Sequence, residues 1–390
     1  MKLLPVKIYR LKNALIFPVN APSSWDRPSI VGVQSLYVKN DPKEFGLMYF
    51  KKYLVNHRLR KEYLAKYNPV KLPGNYLYLG PLQSHFGHFM EESLGRLWAF
   101  DLYKNKVDGF IFIKYHEGIK VHPYMVEVFN LFKVDSQKLK LVNQLYEVEN
   151  LIIPEIGAWL GSEKKWFKRV TSNFINVEDY KRKLLPKKII VRRSSKFLGR
   201  VAGFNYFSNI LVGNGFQEIY PERYSIREQI EFVVSANIII WEQGSACHLL
   251  KILPNLKSTS ILIRRDPYQP AIENLLATKF KHLIIFKDVI TVFKIDSWFA
   301  HKSRSNLIMS TFKSPEGTLN FFKRNNLIND YKFENSIFRK AEKKDLLYFY
   351  IYYFLFIHIQ FFVINYIKPI LPKFVWLKLK VIKDYFFGQR

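Results

Sequence analysis

The sequence predicts an α/β protein of two successive domains, each a sheet covered by helices, followed by a hydrophobic and basic tail. Short apolar runs alternate with longer amphipathic segments, which is the order of strands and helices in such folds. A charged stretch at residues 161–188 interrupts this alternation. The chain has 390 residues, of which 48% are hydrophobic, enough for two cores. We therefore place the first domain at residues 1–165, the second at 186–312, a polar connector at 313–344 and the tail at 345–390.

The first domain is predicted to alternate strands and helices as βαβ units do. Its first apolar run ends at Gly80-Pro81, a turn signal, and a segment with apolar residues at helical spacing follows. In chain order we expect a strand at 75–82, a helix at 85–105, a strand at 109–115, a helix at 122–134, and strands at 139–142 and 148–153.

The second domain repeats the pattern after the charged stretch. Ser225, with Glu228 three residues later, forms a capping-box pattern that marks the start of a helix. Pro254 ends a later helix. In chain order we expect strands at 188–191 and 216–220, a helix at 225–236, a strand at 238–241, a helix at 245–253 and a strand at 260–263.

The formal net charge of +29 at pH 7 narrows the classes of partner. Such a charge favours nucleic acid, an anionic membrane surface or a phosphorylated substrate. Lysines and arginines are spread over the whole length, without a dense basic run or an RNP-type aromatic motif, so nucleic acid is the weakest of the three. Cys247 is the only cysteine, which excludes an intramolecular disulfide and a cysteine-built zinc site and suits a reducing cytoplasm.

The tail predicts contact with a membrane. Residues 346–367 carry no formal charge and are long enough to cross a hydrocarbon core as a helix, although their many tyrosines favour the interface. After Pro372, lysines alternate with large apolar side chains, which suits anionic headgroups. We expect the tail to cross the cytoplasmic membrane or to lie on its cytoplasmic face. Residues 1–19 are interrupted by basic residues and do not predict a signal peptide.

The segment at residues 84–98 carries the most distinctive group of polar side chains. In a regular helix His88, Glu92 and Arg96 occupy positions i, i+4 and i+8 and share one face. An imidazole, a carboxylate and a guanidinium side by side suit a site that holds a proton acceptor beside an anion. An amphipathic helix with a polar stripe is the simpler alternative.

Arginines at the end of a predicted strand indicate an anion site in the second domain. Arg192 and Arg193 follow the strand at 188–191, and Arg200 lies seven residues further on. The arginine side chain matches phosphate oxygens bidentately, so these residues are candidates for phosphate binding. A solvated basic loop is the alternative.

The turn Gly244-Ser245-Ala246 joins a buried strand to a helix. A helix N-terminus at the carboxyl end of a strand offers N–H groups to an anion, and small residues allow the anion to approach the backbone. The turn therefore indicates a second part of the anion site. An ordinary βα turn is the alternative.

No cofactor or metal is expected. His85, His88 and Glu92 resemble a metal half-site, but their spacing differs from that of the helical zinc proteases and no further ligand is evident. The sequence has no Asp-x-Asp, the usual carboxylate pair for Mg²⁺ or Mn²⁺ on a nucleotide sugar, so arginines and helix dipoles would have to stabilise a leaving diphosphate. The lack of a Gly-x-Ser-x-Gly motif argues against a hydrolase.

Taken in order, these motifs resemble those of bacterial members of glycosyltransferase family 61. The similarity covers about residues 75–265 and rests on four blocks in the right sequence, which is more specific than any one of them. The blocks are Gly87-His88-Phe89 with Glu92, Arg96 and Leu97-Trp98; Ile190-Val191-Arg192-Arg193 with Arg200; Gly215-Phe216, Pro221-Glu222 and Glu228-Gln229; and Gly244-Ser245-Ala246 with His248.

The resemblance implies a GT-B-like pair of Rossmann-type domains facing a cleft, a nucleotide diphosphate sugar as donor, and metal-independent transfer with inversion. We expect Glu92 or His88 to be the general base, with Arg96 orienting the carboxylate and keeping it ionised. The other expected site residues are Arg192, Arg193, Arg200, Glu222, Gly244, Ser245, Ala246 and His248 for the donor, and His85 and Gly87 for the acceptor or for structure.

The acceptor is expected to be a hydroxyl of a surface glycan, such as capsule or lipopolysaccharide, linked to a lipid at the membrane. The alternative function is a non-catalytic membrane-bound scaffold that binds nucleotide or glycan within a polysaccharide assembly complex.

Overall fold

The computed structural model describes most of the two predicted domains and the beginning of the tail. The described residues are 7–16, 36–37, 68–114, 120–159, 162–167, 175–194, 200–265, 270–294 and 308–353. Residues 354–390, which contain most of the predicted membrane tail, lie outside them.

The first half of the chain forms a six-stranded sheet in the order β2-β1-β6-β3-β4-β5. Strands β3 to β6 pair parallel with one another, whereas β1 pairs antiparallel with β2 and β6. The strands are β1 Ile8–Ile16, β2 Leu36–Tyr37, β3 Val70–Leu82, β4 Gly109–Lys114, β5 Leu139–Val142 and β6 Tyr146–Pro154. The four strands expected here are confirmed. Strands β1 and β2 were not predicted from the sequence.

The helix expected at residues 85–105 is broken into several short pieces. It consists of α1 Phe86–His88, a π-helical turn Phe89–Ser93, a 3-10 turn Leu97–Ala99 and α2 Phe100–Tyr103. The prediction of one regular helix is therefore wrong. Helix α3, Pro123–Leu131, confirms the helix expected at residues 122–134. The short strands β7 Ala158–Trp159 and β8 Ser162–Glu163 form a separate pair, and 3-10 turns occur at Ser136–Lys138 and Val177–Asp179.

The second half contains a five-stranded, wholly parallel sheet in the order β11-β9-β12-β13-β14. Ser225 and Glu228 form the predicted capping box at the start of the helix Ile226–Ser235. The strands are β9 Lys188–Val191, β11 Gln217–Ile219, β12 Ile238–Glu242, β13 Leu256–Ile263 and β14 Phe280–Phe286. The helices are α4 Phe204–Gly213, α5 Ile226–Ser235 and α6 Pro270–Lys279, with 3-10 segments at Pro221–Arg223 and Ser245–Ile252. The chain is thus a mixed α/β protein with parallel sheets of Rossmann-like character.

A small third sheet and two helices follow. The sheet has the order β10-β16-β15, formed by Val201–Ala202, Ile308–Phe312 and Val289–Lys294. Helix α7 spans Pro315–Arg324 and α8 spans Asn335–Tyr353, so the predicted boundary between connector and tail lies inside α8. No helix within the described residues combines the length and apolar character needed to cross a bilayer.

The two large sheets share one core. Alternate side chains of a strand point to opposite faces, so each sheet has two apolar sides. A single apolar cluster contains side chains of both sheets, among them Leu77, Phe112, Ile189 and Trp241. Separate clusters cover the outer faces, one containing Tyr78 on the first sheet and one from α4, α7 and α8 on the second. The functional residues lie where the strand ends of the two halves meet.

Candidate active site

The segment after β3 turns through a π-helical bulge. The backbone N–H of Leu94 donates to the carbonyl of Phe89 at 3.3 Å, a bond across five residues. Gln83 anchors the start of the segment, since its N–H donates to Ser93 Oγ at 3.1 Å. Such bulges are frequent at functional sites because they redirect side chains out of regular helical register. Here neighbouring Glu91 and Glu92 are both buried but bind different partners.

Glu92 and His88 form a hydrogen-bonded pair. His88 Nδ1 lies 2.6 Å from Glu92 Oε1, and Gln83 Nε2 donates to Glu92 Oε2 at 2.9 Å. Only 1% of the Glu92 side chain is exposed, against 53% of His88. Burial raises the pKa of Glu92 to about 8. The carboxyl is therefore hidden from any substrate, whereas the imidazole is accessible to one.

His85 lies beside this pair. The ring centroids of His85 and His88 are 5.2 Å apart. Burial and then the positive charges of His88, His248 and Arg193 lower the pKa of His85 to about 4. Burial and the charge of His248 also lower the pKa of His88. Both imidazoles keep an accessible edge although protein atoms surround them, as expected for side chains that line a cleft.

A second histidine–carboxylate pair joins the two halves of the chain. His248 Nδ1, from the segment Ser245–Ile252, lies 2.9 Å from Glu91 Oε1, and Lys251 Nζ lies 2.8 Å from Glu91 Oε2. Burial by itself raises the pKa of Glu91, but the hydrogen bond from His248 and the charge of Lys251 outweigh it and lower this pKa to about 2. Glu91 is therefore ionised, in contrast to its neighbour Glu92.

The second sheet places a topological switch point at the same junction. The chain runs from β9 outward to β11 and returns to β12 on the other side of β9. In open α/β sheets ligands bind at such a point, at the carboxyl ends of the strands. Arg193 follows β9 and Gly244 follows β12, and a methyl group added to Gly244 would lie 2.5 Å from Arg193 Nη1. Burial lowers the pKa of Arg193, and the guanidinium, which remains protonated in proteins, places a positive charge in this crevice.

Comparison with known families agrees with this arrangement. Residues 86–257 match the family model described as Glycosyltransferase 61. This segment is a glycosyltransferase 61 domain. No curated protein matches the chain. The matched stretch runs from α1 to β13 and contains both histidine pairs and the switch point.

The glycosyltransferase 61 domain confirms the resemblance found in the sequence. The chain is accordingly a glycosyltransferase, and the family implies, in general terms, a nucleotide sugar donor and a glycan acceptor.

Two arginines of the glycosyltransferase 61 domain take positions other than those predicted. Arg192 is 4% exposed, and its guanidinium donates to Glu242, Glu218 and Asn205. Arg200 donates to Asp345 of α8 at 2.8 Å. Both cations therefore have carboxylate partners inside the protein, and these contacts connect strand ends and α8. Arg193 lies beside Gly244 in the crevice.

Arg96 is also displaced from its predicted role. Its Nε donates to the carbonyl of Pro154 at 2.9 Å, and its guanidinium lies 5.2 Å from the ring centroid of Tyr78. The helix breaks between Glu92 and Arg96, so the i+4 relation assumed for them does not apply. The expectation that Arg96 keeps Glu92 ionised is wrong, because burial raises the pKa of that carboxyl.

The remaining predicted residues lie around the crevice. Ser245 and Ala246 form the first turn after Gly244 and are half-buried. Glu222 is exposed, and its negative charge acts on Arg193. Among the described residues, no three His, Cys, Asp or Glu side chains are grouped so that they could hold a metal ion.

Three site residues were missed in the sequence: Gln83, Glu91 and Lys251. Gln83 precedes the motif and Glu91 adjoins Glu92, but nothing in the spacing shows that two consecutive glutamates serve different histidines. Lys251 lies three residues after His248, one turn of a 3-10 helix away, which would have been the available signal.

Gly87→Ala is expected to damage the site while leaving most of the fold intact. The added methyl would lie 2.9 Å from His248 Cδ2 and 3.3 Å from Ser245 Cβ, so α1 and the segment Ser245–Ile252 must move apart. We expect transfer to fall at least about tenfold, because small misplacements of catalytic groups are costly, and stability to fall by about 1–3 kcal/mol. Initial rates and thermal melts measure both.

Gly213→Ala is the matched control, since no atom lies within 4 Å of its added methyl and the position is at the end of α4. It should leave the rate unchanged. Full activity in Gly87→Ala would show that the contact between Gly87 and His248 has no part in catalysis.

Proposed function

We propose that this chain is an inverting, metal-independent glycosyltransferase that uses a nucleoside diphosphate sugar and a hydroxyl of a surface glycan. One observation carries the proposal: the accessible imidazole of His88, backed by the buried carboxyl of Glu92, lies at the same junction as Arg193. A general base for the acceptor and a cation for the leaving diphosphate are the two devices that single displacement requires.

His88 is the base in this proposal. Nδ1 of His88 is occupied by Glu92, so Nε2 is the nitrogen available to the acceptor. As the acceptor oxygen attacks C1 of the sugar, its proton passes to Nε2, and Glu92 stabilises the imidazolium that forms. The bond from C1 to the diphosphate oxygen breaks on the opposite face, and its electron pair leaves with the diphosphate. One displacement of this kind inverts the anomeric centre.

The leaving diphosphate is assigned to the crevice at the switch point. Arg193 is fixed there through its backbone N–H, which donates to Glu242 Oε2 at 3.0 Å, and the absence of a side chain at Gly244 allows the guanidinium to lie against the backbone. The first turn of Ser245–Ile252 adds backbone dipoles at the carboxyl end of β12. Because the sequence has no Asp-x-Asp, these groups take the part that a metal plays in other nucleotide-sugar enzymes.

The proposal includes a GT-B-like arrangement of two domains and association with the membrane. The two Rossmann-like sheets, whose strand ends share one junction, support the first. Helix α8 supports the second, since Leu347, Tyr348, Tyr350 and Ile351 are about half exposed just before the apolar and basic residues 354–390. An anionic cytoplasmic membrane surface and a lipid-linked capsule or lipopolysaccharide precursor fit these features.

A ligand screen tests the donor site. The full chain, in detergent and with EDTA, is melted with the common nucleoside diphosphates and their sugars. A ligand that binds the folded state raises the melting temperature. We expect a shift with one nucleotide family that persists in EDTA and is lost in Arg193→Ala.

Arg324→Ala is the control for loss of a positive charge, because Arg324 is exposed on α7, a helix outside the matched domain. It should keep the shift. No shift with any nucleotide, together with no donor hydrolysis in the absence of acceptor, would reject the enzyme proposed here and favour the scaffold.

A further inference from the structure

Glu91 connects the two halves of the site through buried contacts. It lies in the π-helical turn of the first half, and its partners His248 and Lys251 lie on the 3-10 segment of the second. The side chains of Glu91 and Lys251 are 5% and 4% exposed, and that of His248 is 14% exposed. Burying a lysine or a glutamate costs free energy unless the charge is paired, so Glu91 and Lys251 each depend on the other in this position.

The ionised state of Glu91 determines which ring nitrogen of His248 donates a hydrogen bond to it. A carboxylate only accepts hydrogen bonds, so His248 Nδ1 must carry a proton and donate to Glu91 Oε1. Nε2 is then the nitrogen that can meet a ligand. It lies 3.3 Å from the position that a methyl on Gly87 would take, at the junction where His85 and Arg193 also lie.

The two histidine pairs therefore suit opposite tasks. His88 is backed by a carboxyl that burial keeps protonated near neutral pH, and His248 by a carboxylate that its own hydrogen bond and the charge of Lys251 keep ionised. Pairs whose environments push their pKa values apart mark acid and base roles in one site. The ring of His248 has a carboxylate at Nδ1 and turns Nε2 to the junction, an arrangement in which an anion at Nε2 would be met by a second N–H donor of the same ring.

We propose that His248 donates a hydrogen bond from Nε2 to the departing diphosphate, and that Glu91 and Lys251 are positioning residues that hold it in that state. This inference rests on the proposed function. When the bond from C1 to the diphosphate oxygen breaks, the electron pair stays on that oxygen and the Nε2–H of His248 neutralises the developing charge. The acceptor proton resides on His88, so the two histidines act on different atoms.

The test follows the ring nitrogens of His248 by NMR in the full-length protein labelled with ¹⁵N-histidine. The probe is inorganic pyrophosphate, the part common to nucleoside diphosphates, and His248→Gln assigns the signal. We expect both nitrogens of His248 to carry protons in the pyrophosphate complex. A complex in which Nε2 of His248 remains unprotonated, or pyrophosphate that fails to bind, would overturn the inference.

The positioning role is tested with a variant that removes both charges. Glu91→Gln alone removes the carboxylate that Lys251 contacts at 2.8 Å and can unfold the protein, so it is combined with Lys251→Met. We expect this double variant to fold, to bind pyrophosphate about tenfold more weakly, and to lose the doubly protonated signal of His248. Lys251→Met alone removes one of the groups that keep Glu91 ionised, so it is expected to weaken that signal less than the double variant does, because Glu91 still meets His248 Nδ1.

Kinetic measurements separate this inference from the function on which it rests. His248→Gln should lower kcat about 10²–10³-fold, the usual cost of one donor to a developing anion, with the donor KM changed far less. Wild-type kcat in the double variant would overturn the positioning role and leave the proposed function standing. A wild-type protein with the expected NMR signal but no transfer from any nucleotide sugar would overturn the proposed function alone.

Discussion

His88→Gln is expected to lower kcat by about 10²–10⁴-fold, the usual contribution of a positioned general base. Glutamine fills a similar space and can still meet Glu92, but it cannot accept a proton. The donor site at Arg193 is untouched, so the donor KM and the melting-temperature shift with nucleotide should remain near wild type. Rates at saturating donor and acceptor, with the nucleotide melts, measure the two effects separately.

The pH dependence of the same variant gives a second test. His88 acts as a base when Glu92 is ionised and Nε2 carries a lone pair. Because burial raises the pKa of Glu92 to about 8, the pair keeps an extra proton below that pH. The wild-type rate should therefore rise tenfold per pH unit below about 8 and level off above it. This rising limb should be absent from the residual activity of His88→Gln.

His282→Gln is the matched control, since His282 is an exposed histidine on β14, remote from the crevice. It should keep both the rate and the pH profile. Near-normal kcat in His88→Gln would remove His88 as the base. Glu92 could not readily replace it, because only 1% of its side chain is exposed.

Glu92→Gln is expected to stabilise the folded protein at alkaline pH and to lower kcat strongly. The folded pKa of Glu92, about 8, is above the ordinary value of 4.5, so the folded state holds a proton that the unfolded chain releases. Wild-type stability therefore decreases as pH rises from about 4.5 to 8. Glutamine has no proton to lose, so the variant should exceed wild type by on the order of a few kcal/mol at pH 8. Denaturant unfolding at pH 5 and pH 8 measures the difference.

The polar contacts of this position allow the substitution. The amide oxygen of the introduced glutamine can accept from His88 Nδ1, and Gln83 can turn its own amide to accept from the new NH₂ group. Nucleotide binding should be spared, since Glu92 does not reach the crevice. A neutral amide cannot stabilise an imidazolium, however, and kcat should fall by about 10²-fold or more.

Glu228→Gln is a control in which the expected change in stability has the opposite sign. Hydrogen bonds from Ser225 lower the pKa of Glu228, so its contribution to stability is present above pH 4.5 and is lost as the pH falls. Replacing it should reduce stability at neutral pH and leave catalysis unchanged. If Glu92→Gln were no more stable than wild type at pH 8, the proton assigned to the buried carboxyl would be elsewhere.

Much of the fold could be read from the sequence because local signals agreed with burial. The strands at 139–142 and 188–191 have the predicted bounds, and the Ser225 capping box begins α5 as expected. Helix α4 was missed, since its start at Gly203 has no capping side chain. The break in the helix after β3 was missed because the apolar residues of 85–105 fit the spacing of a regular helix, whereas the π-helical turn shows only in the backbone hydrogen bonds.

The site could be read in part for a similar reason. His88 and Glu92 are four residues apart, so they meet whether or not the helix continues beyond them. The partners of Arg192 and Arg200 could not be foreseen, because Glu218 and Asp345 reach them only through strand pairing and the packing of α8. Charged residues at strand ends look alike in sequence, and only the fold shows which of them already have an internal counter-ion.

The core shared by the two sheets bears on any attempt to build chimeric transferases from this chain. Side chains of both halves pack in one apolar cluster, so each half alone would expose an apolar face to water. The cluster includes Leu77 and Phe112 of the first half and Ile189 and Trp241 of the second. Exchanging the second half to change donor preference would bring in a foreign apolar face. A successful graft would have to carry the facing side chains of α1 and its π-helical turn with it. Exchange of the second half alone is therefore not expected to transfer donor specificity.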